Sequence, residues 1–380
     1  MSIITLEVET VTPLFIAGAD QRYIENEGLR PPSLRGLLRW WFRAIMGGVH
    51  YSLGNLDLKK ISEEEKKIWG STDKKSKVSL IVSSVKFKVS PFREFKEVVK
   101  YLSYGVHNRP YIEPNSQFKI YLYFRPSISK GDIKKVVATL WLLINLGNIG
   151  SKNRKGFGSL RVVKDANIEG LEFRNPNTLK DLSDYINRNL KKCLEIFGWD
   201  KSKANKGLPP YSVIAPNYWK MKILKNTFSS PLNAINYIGV KIKNYRRKDS
   251  YYRVTKDYDA LKSNFSGKKP SVPQRLIFGL PRLFQFCSIK KKIIVKGTKH
   301  NRRASPLFIK VWKLNENEFA VGLQLFKSEF LQENKLRISD KKKQEKEAAV
   351  NVPSYDYIEK FFEQLSGEWV VPWISSGKIR

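Results

Sequence analysis

From Ile4 to Val11 apolar and polar residues alternate, the period of a strand with one buried face. The next patterned stretch, "RPPSLRGLLRWWFRAIMGG" (30–48), changes period. Leu34, Leu37, Leu38, Trp41 and Ile45 fall at helical spacing and form one apolar face. Ser33 is the expected N-cap and Gly47-Gly48 the expected stop. Residues 51–77, rich in Lys and Glu, predict an inserted solvated segment, and 77–90 and 117–126 predict strands. Asp132 is expected to cap a helix running to about Leu146, with Ile133, Val136, Val137, Leu140, Trp141 and Ile144 as its apolar stripe. A glycine-rich loop follows, "GNIGSKNRKGFGS" (147–159), and then a strand, "LRVVKD".

Strand, helix, strand, strand, helix, strand is the βαββαβ order of a ferredoxin-like (RRM-like) domain on a mostly antiparallel sheet. Residues 176–198 add a helix, and the polar stretch 199–210 is the linker candidate. The second half repeats the theme. Residues 211–224 are strand-like. Residues 230–248 predict a capped helix with Leu232, Ile235, Ile238 and Ile242 on one side. "SPLFIKVWKLNENEFAVGLQLF" predicts a hairpin about its "NEN", and "SYDYIEKFFEQL" a late amphipathic helix. The charged region 327–350 is expected as a solvated helix or mobile loop. The expected fold is therefore α+β: two tandem ferredoxin-like domains with insertions, 1–200 and 208–380, the second degenerate.

Charge changes the picture more than composition does. Lys and Arg number 70 against 35 acidic residues, a formal +35, on a chain 41% hydrophobic and so able to build a core. Such an excess repels itself in the folded state, and a polyanion would offset the repulsion. Nucleic acid is the first candidate and an anionic membrane surface the second. No run of eighteen apolar residues exists, and the alternating start of the chain is no signal peptide, so no membrane role is expected. Cys193 and Cys287 cannot build a disulfide framework or a zinc site, and fit a reducing cytoplasm. With three histidines in all, no His/Cys metal cluster is available.

Three clusters are candidates for binding. Arg35, Arg39 and Arg43 recur every four residues, flanked by Gly36 and Trp40. One reading is a solvated stripe paired with acidic neighbours such as Glu25 and Glu27. The other is a phosphate-gripping face, with Gly36 permitting close approach and Trp40 stacking on a base. In the loop, Lys152, Arg154 and Lys155 stand among Gly150, Gly156 and Gly158, a combination able to cradle phosphates. It is neither a P-loop nor a dinucleotide fingerprint, since it follows a helix and leads into a strand, and no cofactor is expected. The alternative is a helix cap at Gly147 and a flexible basic turn. The third cluster joins Arg246 and Arg247 to Arg302 and Arg303, where plain surface charge explains each equally well. For catalysis without a metal, His300 beside Lys299 and Arg302 is the best general-base candidate and His107 the second. Asp257 and Asp259 could hold a metal only with further ligands, and no nucleophile constellation is present.

"TPLFIAG" with the 30–48 helix, "IGSKNRKGFGSL", and "FGLP" followed by "NRRASPLFIKV" together resemble the RAMP superfamily, in its type III-B CRISPR branch, at the Cmr subunit numbered one. The likeness spans both halves. It implies two ferredoxin-like domains facing each other over a basic cleft, in an RNA-guided complex that destroys foreign RNA. It implies a place toward the guide's 3′ end, CRISPR RNA and single-stranded target RNA as partners beside other Cmr subunits, and target cleavage by a different, repeated subunit. On that resemblance Arg35, Arg39, Arg43, Lys152, Arg154, Lys155, Arg302 and Arg303 become the RNA-contact candidates. The second half ends in "SGEWVVPWISSGKIR" without a glycine-rich basic loop, which departs from the pattern. The alternative is a metal-independent CRISPR-associated endoribonuclease with a histidine base.

Overall fold

The computed structural model describes residues 2–18, 20, 23–24, 28–54, 56–91, 99–106, 109–200, 207–248, 257, 259, 261, 273–286, 291–331, 335–340, 345–349 and 354–373. The first half runs β1 (Ile3–Thr10), α1 (Pro31–Ser52), α2 (Leu58–Trp69), β2 (Val78–Lys86), β3 (Val89–Ser90), α3 (Val99–Ser103), β4 (Tyr111–Ile112), β5 (Gln117–Phe124), α4 (Lys130–Asn145), β6 (Leu160–Val162), β7 (Ala166–Ile168), β8 (Leu171–Phe173) and α5 (Leu179–Ile196). Four strands form one antiparallel sheet in the order β2-β5-β1-β6, with α1 and α4 supplying the crossovers. The alternation in β5 decides its faces: Phe118, Ile120, Leu122 and Phe124 are buried against the helices, while Lys119, Tyr121 and Tyr123 look outward.

The second half runs β9 (Trp219–Phe228), α6 (Pro231–Lys248), a 3-10 turn (Gln274–Phe278), β10 (Arg282–Phe286), β11 (Lys291–Gly297), β12 (Leu307–Asn315), β13 (Glu318–Phe326), β14 (Lys335–Asp340), β15 (Glu345–Ala349), α7 (Asp356–Glu363) and β16 (Gly367–Val370). Its sheet, β12-β13-β9-β16, repeats the connection order of the first: first strand, helix, hairpin, helix, last strand. A separate sheet, β10-β11-β14-β15, is inserted from both sides of the hairpin. No helix among the described residues is long and apolar enough to cross a membrane.

Several expectations are corrected, each for a packing reason. Helix α1 begins at Pro31-Pro32, two residues before Ser33; proline suits the first turn because its missing N–H has no intrahelical acceptor there. It also runs through Gly47 and Gly48 instead of stopping. A Cβ on Gly48 would lie 2.0 Å from the carbonyl oxygen of Ile214, and one on Gly47 2.0 Å from the Tyr211 hydroxyl. The glycines let the 211–215 segment lie directly on the helix, where the Ile214 amide donates to Ala44 O at 2.9 Å. That segment is not a strand, and β9 starts only at Trp219. Residues 51–77 are not simply solvated, since α2 buries Ile61, Ile68, Trp69 and the carboxylate of Glu65. Ser129, not Asp132, caps α4, accepting from the Asp132 amide at 3.0 Å. Within 327–350 the described residues include strands β14 and β15, in neither of the two expected forms.

The two halves pack through the second sheet, which is covered on both sides. Leu307, Ile309, Val311, Val321, Leu323 and Leu325 join Ile235, Ile238 and Ile242 of α6. On the opposite face Phe308, Trp312, Phe326, Trp219 and Met221 belong to the same cluster as Trp41 of α1 and Leu140 of α4. Burying apolar area on this scale binds the halves into one body.

Candidate nucleic-acid interface

The arginine stripe of α1 divides. Arg39 Nε and Arg43 both donate to one oxygen of the buried Glu65 carboxylate, at 2.5 and 2.8 Å. Their acidic partner is on α2, while Glu25 and Glu27, the sequence neighbours, lie outside the described residues. Arg35 has no partner among the described residues. With Gly36, Arg39 and the two prolines it lines a shallow depression of about 330 Å³. Nothing lies within 4 Å of a Cβ placed on Gly36, so that surface is open to a ligand. Trp40 does not present a free face. Phe308 packs 5.4 Å and Phe326 5.6 Å from its ring, and the Arg154 guanidinium sits 5.7 Å away.

The glycine-rich loop is the joint between the halves. The Arg154 carbonyl accepts from the Ile309 amide at 3.1 Å, and Asn148 Nδ2 donates to Ile309 O at 2.7 Å. Gly158 has φ +73°, with the carbonyl oxygen of Ile149 2.0 Å from where a Cβ would be, and its amide already donates to Pro13 O. Gly150 packs against the Phe15 carbonyl in the same way, and Gly156 rests on Ile235 and Ile309. Close approach of protein to protein thus accounts for all three glycines. Beneath the loop Lys310, fully buried on β12, donates to the carbonyls of Ile144 (2.6 Å), Gly147 (2.8 Å) and Leu160 (3.2 Å). Trp312 Nε1 donates to Asn145 O and Gln324 Nε2 to Leu146 O. Side chains of the second half therefore cap the C-terminal end of α4, where carbonyls lack intrahelical partners.

The loop's basic side chains face two ways. Arg154 points into a cleft of about 570 Å³. Trp40 and Arg43 come to it from α1, Tyr211 and Ser212 from the segment lying on α1, and His300, Arg302 and Arg303 from the stretch before β12. Glu329 is the one carboxylate lining it among the described residues. Arg154 stacks 4.4 Å over Phe308 and donates to Ser305 O; burial first, then the charge of Arg303, lowers its pKa to about 10. Arg303 donates to Ile277 O (3.2 Å) and to the Tyr355 hydroxyl (2.6 Å) and lies over Phe330. Arg302 is exposed and without a partner among the described residues. The cleft thus has three tethered arginines, Arg43, Arg154 and Arg303, beside Arg302, which among the described residues is free to bend toward an anion.

Lys152 and Lys155 do not line that cleft; Lys152 feels the charge of Arg109, and Lys155 first that of Arg246. Arg246 donates to the Tyr101 hydroxyl and lies 5.2 Å from the Phe278 ring, so it belongs with these lysines and not with Arg302 and Arg303. The Arg247 side chain and His107 lie outside the described residues. Asp257 is spent structurally: its carboxylate accepts from Arg275 Nε and from the Gln274 amide, while Asp259 is exposed. Among the described residues no group of three or more His, Cys, Asp and Glu could hold a metal. Sequence reasoning missed Glu65, Lys310, Gln324 and Arg109. Lys310 alone left a signal, a lysine in register with Phe308 and Trp312 in an otherwise apolar run.

The RAMP superfamily model matches residues 7–161. The chain is 29% identical over 345 residues to the CRISPR system Cmr subunit Cmr1-1 of Pyrococcus furiosus, covering 87% of this chain and 89% of that one. It is 34% identical over 184 residues to Cmr1-2 of the same organism, covering 41% of this chain and 92% of that one. The crystal structure of apo Cmr1 from Pyrococcus furiosus superposes with a TM-score of 0.63 at 24% identity, over 98% of this chain and all of that one. A chain in a cryo-EM structure of the type III-B Cmr-beta bound to cognate target RNA gives 0.53 at 15% identity, over 95% and 98%. These two structural likenesses concern the fold.

Proposed function

Since the chain belongs to the RAMP superfamily, among the Cmr1 subunits of type III-B CRISPR systems, we propose that it is an RNA-binding structural subunit of a Cmr complex. It contacts guide or target RNA near the guide 3′ end through the basic cleft, and does not itself cleave the target. We read residues 1–200 and 208–380 as tandem ferredoxin-like domains, the repeated strand order being the support, and the reducing cytoplasm as its place. One observation carries the reading. Three cationic elements far apart in sequence, at Arg43, Arg154 and Arg302-Arg303, line one cleft with a single carboxylate among the described residues. In a low-acid concavity their potentials add, which favours a polyanion. Lys152, Lys155, Arg246 and Arg247 remain RNA-contact candidates beyond the cleft, as do Arg35 and Arg39 in the separate depression on α1.

The test is a filter-binding titration of single-stranded RNA across salt. Wild type binds with an affinity that falls steeply with salt. Arg302→Ala weakens binding and lowers the salt slope by about 0.7 without changing the melting temperature. An RNA affinity insensitive to salt, or an Arg302→Ala protein that binds like wild type, rejects the cleft reading. The second reading, a metal-independent endoribonuclease, rests on His300 lining the cleft beside Arg302 and Arg303. Cleavage of labelled RNA that persists in chelator and disappears in His300→Ala would promote it.

A further inference from the structure

Outside the residues that line the cleft, four cations gather, and the carboxylate described near them, Asp257, is already paired with an arginine outside the group. Lys152 and Lys155 come from the loop, Arg109 from the segment before β4, and Arg246 from the last turn of α6. No ion pair joins any of the four to an acidic residue among the described residues. Asp257, the buried carboxylate on this side, is taken by Arg275. The backbone imposes the convergence. Lys152 is held at φ +60° by the turn in which the Lys155 amide donates to Lys152 O at 2.7 Å, and the Lys155–Ile309 bridge fixes the loop to β12. Arg246 is oriented by Tyr101 and Phe278, and its Nε is buried with no hydrogen-bond partner. Packing like charges together raises the free energy of the site, and a buried donor without an acceptor raises it further. A bound anion removes both costs.

We propose that Arg109, Lys152, Lys155 and Arg246 form a second phosphate seat, separate from the cleft, which takes one phosphodiester of the same RNA strand. The proposal rests on the RNA-binding reading and extends it. Arg154 links the two sites: it faces Arg303 on one side and Lys155 on the other, so a backbone leaving the cleft meets the seat across the loop. The groups that face Lys155 are Arg246, Lys152 and Arg154; Arg109 faces Lys152, and Arg275, Tyr101, Tyr357 and the carboxylate of Asp257 face Arg246. Although part of Lys155 reaches solvent, burial first and then those three cations push its pKa down to about 8. The empty seat thus loses a positive charge as pH rises past 8. A phosphate dianion or diester favours the protonated amine, so binding draws a proton onto Lys155.

The experiment measures fluorescence anisotropy of a labelled single-stranded RNA at pH 7 and 9, across salt, for wild type, Lys155→Met, Arg109→Ala and Arg302→Ala. A parallel arm measures thermal stabilisation by inorganic phosphate. One lost phosphate contact lowers the salt slope by about 0.7 for a single strand, so curves that agree at 1 M separate about 8-fold at 50 mM. The expected result is that loss for both Lys155→Met and Arg109→Ala. Wild type should also bind more weakly at pH 9 than at pH 7, and Lys155→Met should lose most of that difference. If Arg302→Ala weakens binding while the other two variants match wild type, the seat is refuted and the cleft stands. If wild type shows no salt-sensitive affinity, the cleft reading fails as well. If the two variants keep full RNA affinity and lose only the stabilisation by phosphate, the seat holds free phosphate and the RNA clause is overturned.

Discussion

Lys310→Met tests the joint between the halves. The wild-type ammonium has three N–H donors and three carbonyl acceptors, at 2.6, 2.8 and 3.2 Å, in a site with no solvent exposure. Two acceptors, Ile144 O and Gly147 O, are at the C-terminal end of α4, where the helix dipole favours a cation. Burial works the other way and holds the lysine pKa well below its usual value. Methionine keeps most of the volume and removes the donors. Three buried carbonyls then lose their donor at about 1–3 kcal/mol each. Against that stands relief from burying an ammonium, several kcal/mol after relaxation. The balance expected is a loss of about 3 kcal/mol, in the range of other disrupted buried networks. At about 2 cal/mol/K per residue over 380 residues, that is a fall of ~4 °C in Tm if the chain unfolds as one unit. Urea unfolding reads the same quantity as a lower midpoint at constant slope. Hydrogen exchange adds a local signature, with amides of the loop and of the last turn of α4 opening first. A variant within about 0.5 kcal/mol of wild type, or a more stable one, would show that the cross-half cap is not what closes α4.

Three further outcomes follow from the same geometry. Gly36→Ala and Gly48→Ala should differ in sign: on the exposed helix surface alanine gains up to ~1 kcal/mol, whereas at position 48 its Cβ meets the Ile214 carbonyl and costs at least ~2 kcal/mol. Melting curves that move both variants the same way would contradict this account of α1. Glu65→Gln removes the charge shared by Arg39 and Arg43; since both arginines are about a third exposed, a modest loss of ~1–2 kcal/mol is expected. Low-salt RNA affinity should rise as the arginines are released, and unaltered stability together with unaltered affinity would count against the pairing. Finally, the folded pKa of Lys155, about 8, lies below its unfolded value. Above pH 8 the unfolded chain therefore holds more protons, and RNA-free stability rises with pH until the unfolded lysine titrates near 10.4. Urea midpoints of wild type against Lys155→Met from pH 7 to 10 measure that rise, and identical slopes would remove Lys155 as its source.

What was legible in the sequence is what local period and charge encode. The βαββαβ order of the first half, the 305–326 hairpin and the late helix follow from the local period of their apolar residues. Misreadings fall where a partner distant in sequence sets the constraint. Gly47 and Gly48 have the signature of a helix stop, and the Tyr211 side chain and the Ile214 backbone, more than 160 residues on, make them a packing surface. In β12 alternation suggested one wet face, but the first half covers it, so Lys310 became a buried cap instead of a surface charge. The candidate site divides on the same principle. Its residue types were evident, and its grouping was not: the loop turns Arg154 toward Arg303 and Lys155 toward Arg246, so a cluster contiguous in sequence serves two surfaces. Positive charge alone also does not mark a contact. Arg39, Arg43 and Arg303 are each tethered by protein acceptors, and their part in binding is to shape the site. The strongest contact candidates are the cations left without an acceptor among the described residues, Arg302 in the cleft and Lys155 across the loop.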